Sequence, residues 1–146
     1  MKTIQELISL KGRRALITGA TGNIGKNFAI TIAELGGDLV LTDIPGSDYS
    51  NLKKEIGEIS DVDIETFDCQ LEDAESRAQL ILFVMNSNKS LNILINNAAF
   101  VGTSDLSGWA TDFESQTIET WMRALEVNLT AGFDLCKGLS KKLQSS

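Results

Sequence analysis

The chain has 146 residues, enough for one domain with a hydrophobic core and too few for two ordinary domains. Hydrophobic residues make up 42% and charged residues 23%, the balance of a globular protein. A formal net charge of -7 argues against nonspecific binding to nucleic acid or anionic membranes, and the absence of histidine excludes His-based triads and most zinc sites.

The cysteines and the N-terminal residues bear on the cellular compartment. Cys69 and Cys136 lie far apart and form no C-x-x-C pair, so we expect reduced, partly buried thiols without a metal or redox role. Residues 1–6 carry a glutamate where a signal peptide needs an apolar run, and we expect no membrane span. These features predict a cytoplasmic protein.

Residues 15–25 join an apolar run to a turn rich in glycine. The glycines have the spacing G-x-x-G-x-x-G and lie at Gly19, Gly22 and Gly25. Apolar residues then recur at helical spacing, at Ile24, Phe28, Ile32 and Leu35. This pattern predicts a buried strand, a tight turn and a helix.

The N-terminus of a helix at such a turn offers unpaired N–H groups and a partial positive charge, which suit a phosphate or pyrophosphate. Glycine is favoured there because a Cβ would obstruct the turn, the ligand and the packing of helix on strand. The alternative is that glycine serves turn geometry alone. A P-loop is excluded, because Ala20 stands where its first glycine is required and Asn27 follows Lys26.

A second strand, residues 38–43, ends on the carboxylate of Asp43, about twenty residues beyond the glycine turn. Dinucleotide-binding folds place at this position the acid that accepts hydrogen bonds from the adenosine ribose. The alternative is that Asp43 merely begins the turn at Pro45 and Gly46.

Strand and helix patterns continue to alternate. We expect a helix over 49–59, a strand over 62–68, a helix from Asp73 and a strand over 91–95. The apolar face of the helix that begins at Asp73 is predicted to hold Ala74, Ala78, Ile81, Leu82 and Met85. Residues 100–116 are predicted to be an irregular loop. A continuous helix should follow, with an apolar stripe at Ile118, Trp121, Met122, Leu125, Leu129, Phe133, Cys136, Leu139 and Leu143.

The alternation predicts an α/β fold: a doubly wound parallel sheet of the Rossmann type, in one domain spanning 1–146. Its ligands should lie at the C-terminal ends of the strands. The chain is expected to stop short of a complete domain, after the helix that follows the fourth strand.

Five segments together resemble the short-chain dehydrogenase/reductase family. They are residues 18–25, Asp43, Asp68 with Cys69, residues 96–99 (Asn-Asn-Ala-Ala) and residues 121–129. The resemblance implies hydride transfer between a nicotinamide cofactor and a carbonyl or alcohol of a small-molecule substrate. It also implies a homo-oligomer in which the final helix packs against its copy.

The same resemblance implies roles for individual residues. The pyrophosphate would be held by the glycine turn, comprising Gly19, Thr21, Gly22, Asn23, Ile24 and Gly25. Asp43 would bind the adenine ribose, Asp68 and Cys69 would flank the adenine, and Asn97 with Ala98 would lie along the nicotinamide. Asn128 matches the family's catalytic asparagine.

The chain departs from the family pattern in three ways. The glycine spacing is that of the family's extended branch, and Ala99 stands where glycine is commoner. The catalytic Ser, Tyr and Lys of relatives lie beyond the helix that contains Asn128, and the chain stops at Ser146. Its only tyrosine, Tyr49, precedes Lys53 at the catalytic spacing but would sit far from the nicotinamide.

We therefore expect the cofactor-binding half of an NAD(P)-dependent short-chain oxidoreductase, inactive on its own. The alternative is a non-catalytic dinucleotide sensor or partner-binding protein. NAD is expected over NADP because Asp43 repels a 2′-phosphate and no arginine stands at Ile44 or Pro45. No nucleic-acid or membrane partner is expected.

Overall fold

The computed structural model describes residues 3–100 and 107–145. Within these residues, four strands form one sheet in the order β3-β2-β1-β4. The strands are β1 (Arg14–Thr18), β2 (Asp38–Asp43), β3 (Ile64–Asp68) and β4 (Ile93–Ile95). All neighbouring pairs are parallel. The predicted doubly wound, Rossmann-type sheet is confirmed, and the chain reverses its direction of sheet growth between β1 and β4, where such sheets bind ligands.

Helices cover both faces of the sheet. They are α1 (Ile4–Ile8), α2 (Asn23–Glu34), α3 (Ser50–Ile59), α4 (Ala74–Asn86), α5 (Ile118–Leu125) and α6 (Ala131–Gln144). A π-helical turn, Glu126–Thr130, joins α5 to α6, and a short 3₁₀ helix spans Phe113–Ser115. No helix among the described residues is long and apolar enough to cross a bilayer.

Helix α1 lies in a stretch where the sequence analysis placed no element. Its N-terminus is a capping box, in which the Thr3 side chain accepts from the Glu6 N–H and the Glu6 carboxylate accepts from the Thr3 N–H at 2.7 Å. The T-x-x-E spacing was a readable signal for this helix.

The two hydrophobic cores follow from the alternation of side chains along the strands. Ala15, Ile17, Leu39 and Leu41 face α2 and α3, and they pack with residues such as Ile32 and Ile56. Leu16 and Val40 point to the other face, where they pack with Leu80, Val84, Leu135 and Leu139 of α4 and α6. Because β1 and β2 are buried on both faces of the sheet, their apolar residues do not alternate with polar ones.

The buried faces of two helices differ from the prediction. Helix α2 packs through Gly25, Ala29, Ile32 and Ala33, whereas Ile24 and Phe28 are exposed, because small residues let the helix lie close to the sheet. Helix α4 buries Arg77, Leu80 and Val84, and Leu82 is exposed. The predicted α4 face is correct in part: Ile81 and Met85 are partly buried and pack against the core, but buried Arg77 occupies a position that the apolar pattern treated as solvent-facing.

The final helix is interrupted by the π-helical turn instead of being continuous. Its buried side holds Ala124, Ala131, Leu135 and Leu139. Most of the predicted stripe is exposed, including Ile118, Trp121, Met122, Leu129, Phe133 and Cys136. A π turn takes up an extra residue, so a single helical period across 118–143 does not describe its packing.

Candidate dinucleotide-binding site

A cleft of about 700 Å³ opens at the C-terminal ends of the strands. Its wall contains the predicted site residues Gly19, Thr21, Gly22, Asn23, Ile24, Asp43, Cys69, Asn97 and Ala98. The volume lies in the range of small-molecule and cofactor pockets. The cleft therefore brings together most of the residues that the sequence singled out.

The glycine turn brings α2 close to β1 and β4. Gly19 has φ +63°, and a Cβ there would lie 2.9 Å from the Ala98 Cα. A Cβ on Gly25 would lie 2.1 Å from the Gly19 carbonyl oxygen. Gly25 lies behind the cleft wall and permits helix–turn contact, while Gly19 supplies the left-handed backbone.

The first turn of α2 fits a pyrophosphate. Gly22 is the N-cap residue, and no side-chain hydrogen bond caps the helix. The first N–H groups of a helix lack intrahelical partners, so they remain available to an anion here. Gly22, Asn23 and Ile24 all border the cleft.

The Asp43 carboxylate is fixed at the end of β2 by three hydrogen bonds. Its Oδ2 accepts from the Thr21 N–H at 2.8 Å and from the Thr21 hydroxyl at 2.7 Å. Its Oδ1 accepts from the Ile44 N–H at 2.9 Å. A carboxylate has about four acceptor positions, so Asp43 retains capacity for a ligand hydroxyl.

Asn97 links the C-terminal end of β4 to that of β1 by hydrogen bonds. Its Nδ2 donates to the Thr18 carbonyl at 3.0 Å and to the Gly19 carbonyl at 3.1 Å. The buried Thr18 hydroxyl accepts from the N–H groups of Asn97 and Ala98, both at 3.0 Å. Sequence reasoning assigned no separate role to Thr18, whose hydroxyl joins β1 to the segment after β4 at the cleft wall.

Three predicted site residues, all within the described ranges, lie outside the cleft wall: Gly25, Asp68 and Asn128. Asp68 accepts hydrogen bonds from Tyr49 and Gly46. The Asn128 Oδ1 accepts from the Phe100 N–H at 2.6 Å, and its Nδ2 donates to the Phe100 carbonyl at 3.4 Å. Asn128 thus holds the segment that follows β4.

Cys69 borders the cleft and is buried. Burial raises the pKa of its thiol and outweighs the opposite effect of the Ser76 hydroxyl, which donates to the sulfur at 3.7 Å. A protonated thiol is an apolar wall group, so the residue suits contact with a flat ring better than nucleophilic chemistry.

An ion pair that sequence reasoning missed also borders the cleft. Arg123 Nε donates to Glu72 Oε1 at 2.6 Å, and Arg123 Nη2 donates to Glu72 Oε2 at 3.2 Å. The hydrogen bond from Arg123 holds the pKa of Glu72 below its usual value. The guanidinium lies 5.5 Å from the ring centroid of Phe100, which contacts Trp109 edge to face. One feature of the sequence indicates that Arg123 matters: it falls within residues 121–129, one of the segments that carry the family resemblance.

The predicted irregular loop contains these aromatic residues. Residues 101–106 of the loop lie outside the described residues, and the 3₁₀ helix Phe113–Ser115 is its regular part. Gly108, Trp109 and Phe113 border a smaller pocket of about 300 Å³ with residues of α5.

Buried Arg77 braces the wall of the cleft from behind. Its Nε donates to Asp134 at 2.8 Å, its Nη2 lies 2.8 Å from Glu126, and its Nη1 donates to the Leu71 carbonyl at 2.6 Å. Burial lowers the pKa of Arg77, but the hydrogen bonds to Asp134 and Glu126 outweigh it and raise the pKa overall. Leu71 borders the cleft, and Glu126 begins the π turn.

In the described part of the chain, no three His, Cys, Asp or Glu residues group in a way that could hold a metal ion. The arrangement suits a dinucleotide: it combines a helix N-terminus without a side-chain cap, a fixed carboxylate at the neighbouring strand end, and a fourth strand whose end is hydrogen-bonded to that of β1.

Comparison with known proteins identifies the family. The family model described as short chain dehydrogenase matches residues 13–146. The chain therefore belongs to the short-chain dehydrogenase family, and the predicted resemblance is confirmed.

Among curated relatives, the chain is similar to 2-dehydro-3-deoxy-D-gluconate 5-dehydrogenases. It is 28% identical to that of Pseudoalteromonas atlantica, over 94% of this chain and 52% of the relative. It is 31% identical to that of Bacillus subtilis, over 92% of this chain and 49% of the relative. The chain thus spans about half the length of the curated relatives it matches.

Among solved structures, the chain resembles a short-chain dehydrogenase from Sphingobium yanoikuyae in complex with NADPH. The TM-score is 0.77 at 28% identity, and the match covers 91% of this chain and 49% of the other.

Proposed function

We propose that this chain is the cofactor-binding part of an NAD(P)-dependent short-chain oxidoreductase that acts on a small-molecule carbonyl or alcohol. The observation that carries the proposal is the uncapped N-terminus of α2 beside the fixed carboxylate of Asp43 in one cleft. A bound nicotinamide would supply or accept the hydride.

The protein's own residues would bind and orient the cofactor. The first turn of α2, Gly22 to Ile24, would receive the pyrophosphate, and Asp43 would accept from the adenosine ribose. Cys69 would form a wall for the adenine. Asn97 and Ala98, strapped to Thr18, would support the nicotinamide end. Asn128 would act indirectly, through its grip on the Phe100 backbone.

We expect the chain to bind NAD more tightly than NADP. A 2′-phosphate would carry about two negative charges beside Asp43, and the residues that follow Asp43 are the uncharged Ile44 and Pro45. The measurement is calorimetric titration of the purified chain with each cofactor. Equal or tighter binding of NADP would contradict the assignment of Asp43.

The 146-residue chain alone is expected to show no cofactor-dependent turnover. General acid–base catalysis contributes roughly 10²–10⁴-fold, and the only tyrosine in the chain, Tyr49, is unsuited to it. Burial and the hydrogen bond to Asp68 raise the pKa of Tyr49, whereas a catalytic tyrosine needs a lowered pKa. The assay is NADH formation or loss with secondary alcohols and ketones.

Turnover that persists through rigorous purification would overturn this expectation. As a companion test, Asn128→Ala should leave the activity of the chain at the same background level.

We also expect the chain to self-associate through α5 and α6. Their outer face carries exposed apolar side chains, with Ile118 78%, Phe133 68% and Leu129 66% exposed. Apolar patches of this kind mark association surfaces. Light scattering during size-exclusion chromatography should give a mass well above 15.8 kDa.

The double variant Leu129→Asp and Phe133→Asp should shift the mass towards that of the monomer. Leu82→Asp, which changes an exposed leucine on α4, is the matched control and should leave the mass unchanged. A monodisperse wild-type monomer at micromolar concentration would refute the prediction.

A further inference from the structure

Two carboxylates stand side by side at the C-terminal edge of the sheet. Asp43 ends β2 and Asp68 ends β3, and the two residues are register partners in the parallel pair. The Cys69 N–H donates to the Asp43 carbonyl at 2.8 Å, which continues the pairing beyond the strand. Two acids therefore end neighbouring strands at this edge: Asp43 lines the cleft, and Asp68 lies beside it, outside the cleft wall.

The two carboxylates are held in different directions. Asp43 is bound by Thr21 of the glycine turn. Asp68 Oδ1 accepts from the Tyr49 hydroxyl at 3.1 Å, and its Oδ2 accepts from the Gly46 N–H at 3.4 Å. Asp68 is thus directed to the segment between β2 and α3, on the side of Asp43 away from the glycine turn.

The segment that Asp68 contacts has a defined shape. The Ser47 N–H donates to the Ile44 carbonyl at 3.1 Å, and Gly46 has φ +87°. Proline followed by a glycine with positive φ is typical of a type II turn. Tyr49 is the N-cap residue of α3, and its ring packs against the core on that face. Its hydroxyl is therefore held at a fixed position beside Asp68.

We propose that Tyr49 is a positioning residue that holds Asp68 against the turn at Gly46, and that Asp68 is thereby a second acidic determinant of selectivity against a 2′-phosphate. The inference rests on the proposed function, since Asp68 lies next to the cofactor cleft as the register partner of Asp43, although it does not line the cleft. Asp68 acts through its own charge, and its contact with the Gly46 N–H at 3.4 Å helps to keep the carboxylate in place.

Two lysines on the flanking helices are engaged elsewhere. Lys26 of α2 pairs with Glu55 at 2.6 Å, and the Lys53 ammonium of α3 donates to the Thr66 hydroxyl at 3.3 Å. Neither contact places a cation on Asp68. The charge of Asp68 therefore adds to that of Asp43 in repelling an anion at this edge.

The test compares the dissociation constants of NAD and NADP for the wild-type chain, Asp68→Asn, Tyr49→Phe and Asp61→Asn. Asp61 is an exposed acid that precedes β3, at the opposite end of the sheet, so its variant makes the same change of charge away from the cleft. Circular dichroism confirms that each variant is folded.

We expect Asp68→Asn to lower the ratio of the NADP constant to the NAD constant by about tenfold. Tyr49→Phe keeps the charge but frees the carboxylate, so it should lower the ratio by about threefold. Asp61→Asn should leave the ratio unchanged.

A second readout follows the contact itself, because Tyr49 is the only tyrosine. Ultraviolet titration of the tyrosinate should show a raised pKa in the wild-type chain, from burial and from Asp68, and a lower pKa in Asp68→Asn. A structural role without selectivity would move this pKa and leave the cofactor ratio unchanged.

The outcomes separate the two proposals. Wild-type binding with an unchanged ratio in Asp68→Asn overturns this inference alone, and so does an equal change in Asp61→Asn. Absence of binding of either cofactor to the folded wild-type chain overturns the proposed function and this inference together.

Discussion

Gly25→Ala is expected to abolish NAD binding at concentrations that saturate the wild-type chain and to lower the free energy of unfolding. The new Cβ would lie 2.1 Å from the Gly19 carbonyl oxygen and 2.8 Å from the Gly19 carbonyl carbon. These are backbone atoms, so relief requires α2 to move away from the turn. Overpacking of this kind costs about 1–3 kcal/mol or more.

The loss of affinity follows from the same displacement. Hydrogen bonds from the first turn of α2 to a charged pyrophosphate contribute about 1.5–3 kcal/mol each. Loss of two of them corresponds to a fall in affinity of at least about a hundredfold. Calorimetric titration with NAD and urea denaturation of the same preparation measure the two effects.

Gly57→Ala is the matched control. Gly57 lies within α3, and a Cβ there would meet no atom within 4 Å. Because glycine is a poor helix former, this change should stabilise the chain by about 0.5–1 kcal/mol and leave NAD binding intact. Equal behaviour of the two variants would contradict the role assigned to Gly25.

Arg77→Met should lower the free energy of unfolding by about 2–4 kcal/mol. It leaves the carboxylates of Glu126 and Asp134 and the carbonyl of Leu71 without their shared donor. Breaking a buried pair from one side costs about 3–5 kcal/mol. The two carboxylates are 35% and 37% exposed, so water compensates part of the loss. Urea denaturation measures the change.

Arg13→Met makes the same chemical change at an exposed position and should alter stability by less than about 0.5 kcal/mol. Adding Glu126→Gln and Asp134→Asn to Arg77→Met should recover part of the loss, because the uncompensated charges are removed. If Arg77→Met is as mild as Arg13→Met, the network does not brace the cleft wall.

The predictions that agree with the structure were based on short, local sequence patterns. The glycine turn, Asp43 at the end of β2 and the Asn-Asn-Ala-Ala segment after β4 each combine a residue type with a position in a strand–turn–helix order, and the structure places them in one cleft. Strand cores were predictable because apolar runs buried on both faces have few alternatives.

The contacts that sequence reasoning missed join residues far apart in the chain. The fold alone pairs Arg77 with Asp134, Glu72 with Arg123, and Tyr49 with Asp68. It packs α4 against α6, brings α5 to the segment before α4, and sets the start of α3 beside the end of β3. Asp68 shows the limit most clearly, since its position at the end of β3 was predictable but its hydrogen bonds with Tyr49 and Gly46 were not. The π turn likewise broke the single helical period from which the final stripe was predicted.

Nuclear magnetic resonance titration of the nitrogen-15-labelled wild-type chain with NAD tests the central claim most directly, because it reports both binding and its location. We expect saturable shifts concentrated in the glycine turn from Gly19 to Ile24, at Asp43 and Ile44, and at Asn97 and Ala98. A folded chain that shows no shifts at millimolar NAD, or shifts confined to the exposed face of α5 and α6, would contradict the account.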